Sequence, residues 1–210
     1  MSRSIPIESP TGLKPESLRG RIDAVVMGAS AGGVEALSVL LSALPHGFHP
    51  AVLIVMHLPR DRPSLLVSIF QPKCPLEVRE AQDKEPVQPG TVSFAPPDYH
   101  LLVDTGPTLA LSVDEPVHYS RPSIDVLFES AADVYGPRLA AFVLTGANAD
   151  GAQGLEAVRA AGGVTVVQQP STAHSPFMPQ AALARGPADF VLSLEQMTHL
   201  LQVMGGAHAL

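Results

Sequence analysis

Four apolar runs constrain this chain more than anything else in it. Ile22–Met27 (IDAVVM), Ala51–Met56 (AVLIVM), Leu139–Leu144 (LAAFVL) and Val164–Gln168 (VTVVQ) are continuous, not alternating. A strand with one wet face alternates apolar and polar residues, whereas a strand covered on both faces has no need to. Stretches with helical spacing lie between the runs. Val34–Leu44 stops at Pro45, Ser64–Phe70 follows a Pro63 suited to the first helical position, and Gly154–Ala161 stops at Gly162-Gly163. Pro179–Ala184 and Leu194–Met204 complete the helices, with DFVLS as a short strand between them. PLEVRE, ending at Glu80, reads as a further strand. Repeated strand–helix units predict an α/β fold: a doubly wound, mostly parallel, Rossmann-like sheet with helices on both faces.

The middle of the chain breaks this rhythm. TVSFA, HLLVD and TLALSV are short and separated by Pro-Pro-Asp and Asp-Thr-Gly-Pro, which are turn signals. They predict an insertion of antiparallel hairpins between Thr91 and Val113. Helical spacing returns over Ser123–Tyr135, where Ile124, Leu127, Phe128 and Ala131 share a face. The domain is expected over 21–204, with a disordered tail over 1–20 and another over 205–210.

Composition narrows the function classes. Hydrophobic residues make up 46% and charged residues 16%, enough for a core built from Val, Leu, Ala and Ile, since Trp is absent. The net charge is −7 and Lys and Arg form no cluster, which argues against nucleic acid as a partner. One cysteine, Cys74, cannot form an internal disulfide, and a reducing cytoplasm is the simplest setting. Its place between Lys73 and Pro75 reads as a loop thiol and not as a nucleophile. The first 20 residues lack the apolar core of a signal peptide, and no run approaches the roughly 20 apolar residues of a membrane span.

The chemistry concentrates where the first run ends, in Gly28-Ala29-Ser30-Ala31-Gly32-Gly33. A dinucleotide loop needs glycines at a different spacing, with Gly where Ser30 stands and an acidic residue after the second strand; that strand ends in Met56-His57-Leu58. A Walker loop needs a lysine that is not there. Gly28–Gly32 does match G-x-S-x-G, a tight strand-to-helix turn that exposes a serine hydroxyl beside free helix N–H groups. Serine needs a base, and the base needs an orienting carboxylate. His57 follows the second strand, and Asp150 lies just past the strand Leu139–Leu144, so Ser30, His57 and Asp150 fall on one edge of the predicted sheet. His174 is the nearest rival base, since its loop opens on the same edge. His46 and His49 lie on the opposite edge, and His100, His118, His199 and His208 lie in a hairpin, a loop, a late helix and the tail. The bland alternative for Asp150 is a cap on the helix after it. No metal-binding spacing and no cofactor motif occurs.

These segments resemble the catalytic domain of the CheB-type chemotaxis protein-glutamate methylesterases. The resemblance rests on Gly28–Gly33, His57-Leu58-Pro59 and Leu144–Gly151. It also rests on Pro89-Gly90 with Ala95-Pro96 and His100, on Arg121-Pro122-Ser123-Ile124-Asp125, and on Met178-Pro179-Gln180-Ala181-Ala182. It implies a serine-type hydrolase with Ser30 as nucleophile, His57 as general base and Asp150 as orienting acid. The implied substrates are methyl esters of glutamate on cytoplasmic helices of methyl-accepting chemoreceptors, with deamidation of receptor glutamines (protein-glutamine glutaminase activity) as a companion reaction. It implies no cofactor and no membrane insertion. Ala147 and Asn148 stand where the family has Met and Gly, which bears on substrate fit or oxyanion geometry. Phe177 stands where it has Gly. The residues before Ile22 are too few for the phospho-acceptor receiver domain common in the family. Two other readings stay open: a non-catalytic docking module of a signalling complex, and an esterase for small molecules.

Overall fold

The computed structural model describes residues 7–58 and 64–205. Strands β1 (Ala24–Ala29), β2 (Ala51–Met56), β3 (Glu77–Glu80) and β4 (Thr91–Phe94) are followed by a separate hairpin, β5 (His100–Asp104) and β6 (Thr108–Ser112). Then come β7 (Leu139–Val143), β8 (Val164–Gln168) and β9 (Phe190–Leu192). Seven of these strands pair in the order β3-β4-β2-β1-β7-β8-β9, and every pairing is parallel. Six α-helices accompany them among the described residues: α1 (Gly33–Ser42), α2 (Leu66–Phe70), α3 (Ile124–Tyr135), α4 (Ala152–Ala160), α5 (Phe177–Ala184) and α6 (Leu194–Met204).

All residues of β1, β2 and β7 are buried, as continuous apolar runs require. Successive side chains of β1 enter two different cores. Val25 and Met27 pack with Leu37 and Leu41 of α1 and Leu200 of α6. Val26 packs with Leu127 and Phe128 of α3 and Leu155 of α4. Each fully buried side chain of this size contributes about 1.5–3 kcal/mol, so the central strands carry much of the fold.

From β1 the chain passes through β2 to β3 at the edge, fills the place between them with β4, and later returns to the other flank of β1 as β7. The carboxyl ends of β1 and β7 therefore border a topological switch point, where loops diverge and leave a crevice.

Two expectations need correction. TVSFA is not part of a hairpin: β4 lies fully buried between β2 and β3 in the main sheet, and only β5 and β6 form an antiparallel pair. Thr91-Val92-Ser93-Phe94 alternates polar and apolar residues, the pattern of a strand with one wet face, yet the structure buries all four. Pro96-Pro97-Asp98 does turn the chain, but off the sheet. The expected tail over 1–20 is ordered from residue 7 onward. Pro15–Leu18 forms a 3-10 turn, Leu18 is fully buried, and Ile7 and Leu13 pack on the same core. Three apolar residues in a polar stretch suffice to dock it. Residues 1–6, Pro59, Pro63 and most of the expected tail over 205–210 lie outside the described residues.

Candidate active site

Ser30 leaves the end of β1 and enters the turn to α1. Its N–H donates to the carbonyl of Thr145, and its own carbonyl accepts from Gly33. Gly32 has φ +80°, a left-handed conformation that glycine adopts without strain, and a Cβ there would lie 2.5 Å from Cβ of His174. Gly146 is under the same pressure for space: a Cβ would come within 2.5 Å of the Met178 sulfur and 3.0 Å of Ser30 Cβ. The loop after β7 thus presses directly on the serine. Thr145 joins the two loops further, with its hydroxyl donating to the carbonyl of Ala31 at 2.8 Å and accepting from Ser175 N–H at 2.8 Å. Among the described residues the N–H groups of Ala31 and Gly32 have no acceptor, and α1 has no side-chain cap. Uncapped N–H groups at a helix start favour negative charge.

His57 continues β2 by one residue, its N–H donating to the carbonyl of Ala29. Register thus sets the serine and histidine side by side, since Ala29 and Met56 are paired across β1 and β2. Nε2 of His57 lies 2.8 Å from Oδ2 of Asp150. Asp150 is fully buried. It accepts from five groups: His57 Nε2, the hydroxyl of Ser123, and the N–H groups of Ile124, Asp125 and Gly151, all within 2.7–3.0 Å. Burial by itself pushes its pKa up, but the hydrogen bonds from His57, Asp125 and Ile124 outweigh that and hold it below the ordinary carboxylate value. It does not cap the helix after it: α4 starts from Gly151 and has no side-chain cap hydrogen bond. Asp150 sits instead at the N-terminus of α3, where Ile124 and Asp125 begin the helix.

The structure thus brings His57 and Asp150 into direct contact and sets Ser30 on the neighbouring strand end. Among the described residues, Ser30 Oγ makes no hydrogen bond. The second nitrogen of His57, Nδ1, lies 3.2 Å from Nδ2 of Asn148. Beside His57 a small cleft is lined by Leu58, Tyr119, Ser120, Arg121 and Pro122. Arg121 is fixed there by two bonds to Asp98 and two to the carbonyls of Val113 and Asp114.

Sequence reasoning missed the support around the carboxylate. Ser123 hydrogen-bonds Asp150, and its N–H donates to Nδ1 of His100, whose Nε2 donates to the carbonyl of Glu115. His100 begins the hairpin strand β5, as expected, and is buried there. The only signal for Ser123 was its place just before a helical pattern, where serine is a common cap. Asp125 is buried with one oxygen on Gly154 N–H and the other, unbonded, 3.4 Å from His118 Nε2. His174 touches the Ser30 turn but does not reach Asp150. Cys74 is buried, which pushes its thiol pKa up, the opposite of what a nucleophile needs. No group of three or more His, Cys, Asp or Glu among the described residues is arranged to hold a metal ion. No helix among them is long and apolar enough to cross a membrane.

A wholly parallel α/β sheet with a serine turn and a paired imidazole and carboxylate at its switch point has the layout of a serine hydrolase of the doubly wound class. The chain belongs to the CheB methylesterase family, whose model matches residues 25–201. A putative protein-glutamate methylesterase/protein-glutamine glutaminase of Leptospira interrogans is 43% identical over 178 residues, covering 85% of this chain and 92% of that protein. A protein-glutamate methylesterase/protein-glutamine glutaminase of Anaeromyxobacter dehalogenans is also 43% identical, over 85% of this chain but only 51% of its own length. The crystal structure of the Thermotoga maritima CheB methylesterase catalytic domain superposes with a TM-score of 0.80 at 30% identity, covering 86% of this chain and 97% of that one.

Proposed function

We propose that the chain is a protein-glutamate methylesterase that uses Ser30, His57 and Asp150 as a triad on chemoreceptor helices. The observation that carries the reading is the 2.8 Å contact between His57 and a buried carboxylate, one strand away from a serine with free N–H groups beside it. Ser30 Oγ attacks the γ-carbonyl carbon of the methyl ester as its proton passes to Nδ1 of His57. The carbonyl π electrons move onto oxygen, and the N–H groups of Ala31 and Gly32 are available to that oxyanion. Asp150 stabilises the imidazolium through Nε2–H. The tetrahedral intermediate collapses, the C–O bond to methanol breaks, and His57 returns the proton to the leaving methoxide. Water, deprotonated by His57, then cleaves the acyl-enzyme and regenerates Ser30. A glutamine side chain follows the same course with ammonia as the leaving group. This matches the second activity in the names of the relatives.

The test is methanol release from a methylated receptor fragment. Wild type should release it, and Ser30→Ala should lose at least about three powers of ten in rate. Equal release from both proteins refutes the reading. Turnover of short aryl esters without turnover of the receptor fragment would instead indicate a small-molecule esterase.

A further inference from the structure

The hydrogen bonds around His57 fix which atom is donor and which is acceptor. Oδ1 of Asn148 accepts from the backbone N–H of Asp150 at 3.2 Å, so the other end of the amide is NH2 and faces His57. Nε2 of His57 faces a carboxylate that already collects four other donors, so Nε2 carries the hydrogen. Nδ1 therefore presents its lone pair, and Asn148 Nδ2 donates to it. That lone pair is the one the hydrolase mechanism needs for the Ser30 proton. The structure thus holds a complete hydrogen bond at the base, made by the wrong donor, and, among the described residues, no hydrogen bond at Ser30 Oγ.

We propose that the side-chain amide of Asn148 is an autoinhibitory latch on His57. It caps the general base in the resting enzyme and must swing aside before Ser30 can be activated. This rests on the triad reading above. The local build permits the motion: Asn148 is half-buried, and it lies between Ala147 and Ala149, whose side chains end at Cβ. Among the described residues Nδ2 makes no other hydrogen bond. Substrate entering the cleft can displace it and offer its own carbonyl to the released NH2. A neutral, partly exposed hydrogen bond shifts a population by roughly two- to twelvefold, so the latch damps activity without abolishing it.

Asn148→Ser separates the two ends of the amide. Serine keeps an oxygen that can accept from the N–H two residues on, as Asn148 does, but cannot reach His57. The readout is the second-order rate at which a fluorophosphonate modifies Ser30, with Ser30→Ala as the unlabelled control. The latch predicts labelling of Asn148→Ser roughly two- to twelvefold faster than wild type. A merely structural role for Asn148 predicts slower labelling. A rate unchanged or lowered, with Ser30 labelled in wild type, overturns the latch and leaves the hydrolase reading intact. Absence of labelling in both proteins sinks the hydrolase reading and the latch with it. A second measurement needs no variant: long-range nitrogen–proton correlation of the His57 ring in alkaline buffer. Hydrogen on Nε2 with Nδ1 unprotonated is expected, and hydrogen on Nδ1 overturns the latch.

Discussion

Replacing Asp150 by asparagine exchanges one carboxylate oxygen for NH2 and changes little in size. Every neighbour is a donor: the Ser123 hydroxyl, three backbone N–H groups and His57 Nε2. If the new NH2 takes the place of Oδ2, it faces the N–H of Ile124 and orphans it. His57 can then respond only by moving its hydrogen to Nδ1, which removes the basic lone pair from the serine side. If it takes the place of Oδ1, it faces the N–H groups of Asp125 and Gly151, and only the Ser123 hydroxyl can turn to accept. The first placement leaves one buried donor unpaired and the second leaves two, so the first prevails. A buried unpaired N–H costs about 1–3 kcal/mol. Removing a negative charge from the start of α3 adds about 0.3–2 kcal/mol. Asp150→Asn should therefore lose about 1–5 kcal/mol in urea unfolding at neutral pH and roughly four powers of ten in methanol release, through the wrong tautomer. The depressed pKa of Asp150 means that its charge stabilises the fold above the ordinary carboxylate range. That contribution is lost as pH falls through the lower folded value, so the stability gap should shrink below about pH 4. A variant within about 0.5 kcal/mol of wild type and within tenfold of its rate would refute both the hydrogen-bond assignment and the triad.

Gly146→Ala should slow ester hydrolysis and destabilise by about 1–3 kcal/mol, because its Cβ would meet Ser30 Cβ at 3.0 Å and the Met178 sulfur at 2.5 Å; unchanged kinetics would show that the loop does not position the serine. Burial pushes the Asp125 pKa up to about 6 from 3.8, so the native state binds that proton more tightly than the unfolded chain. Its contribution to stability should rise as pH falls through about 6 and level off below 3.8, by up to about 3 kcal/mol, and Asp125→Asn should remove this slope in urea titrations at stepped pH; a slope that survives the substitution refutes the assignment.

What was legible in the chain follows from its periods. Ala51–Met56 and Leu194–Met204 were placed to the residue, because a buried strand and an amphipathic helix each impose a pattern over many positions. The first strand begins two residues later than Ile22 suggests and runs on to Ala29, since the small residues of the turn can still join a ladder. That Ser30, His57 and Asp150 share one edge was legible because the carboxyl ends of parallel strands all lie on the same side of a sheet. Thr91–Phe94 was misassigned because pairing partners are chosen in three dimensions. Ile7, Leu13 and Leu18 were missed because their spacing follows neither period.

The unreadable part of the site has a common cause. Ser123, His100 and Asn148 act through single hydrogen bonds between segments far apart in the chain, and no local pattern encodes such a bond. Those bonds nevertheless form one continuous path: the carbonyl of Glu115, His100, Ser123, Asp150 and then His57. The anion that completes the N-terminus of α3 is the same anion that orients the imidazole. The fold therefore cannot loosen the start of α3 without also disturbing His57. Asn148 lies off this path and meets it at His57: its Oδ1 serves the loop backbone, while among the described residues its Nδ2 serves only the ring. A substitution at Ser123 or Asp150 must change stability and catalysis together, whereas one that removes only the Asn148 NH2 can change catalysis alone.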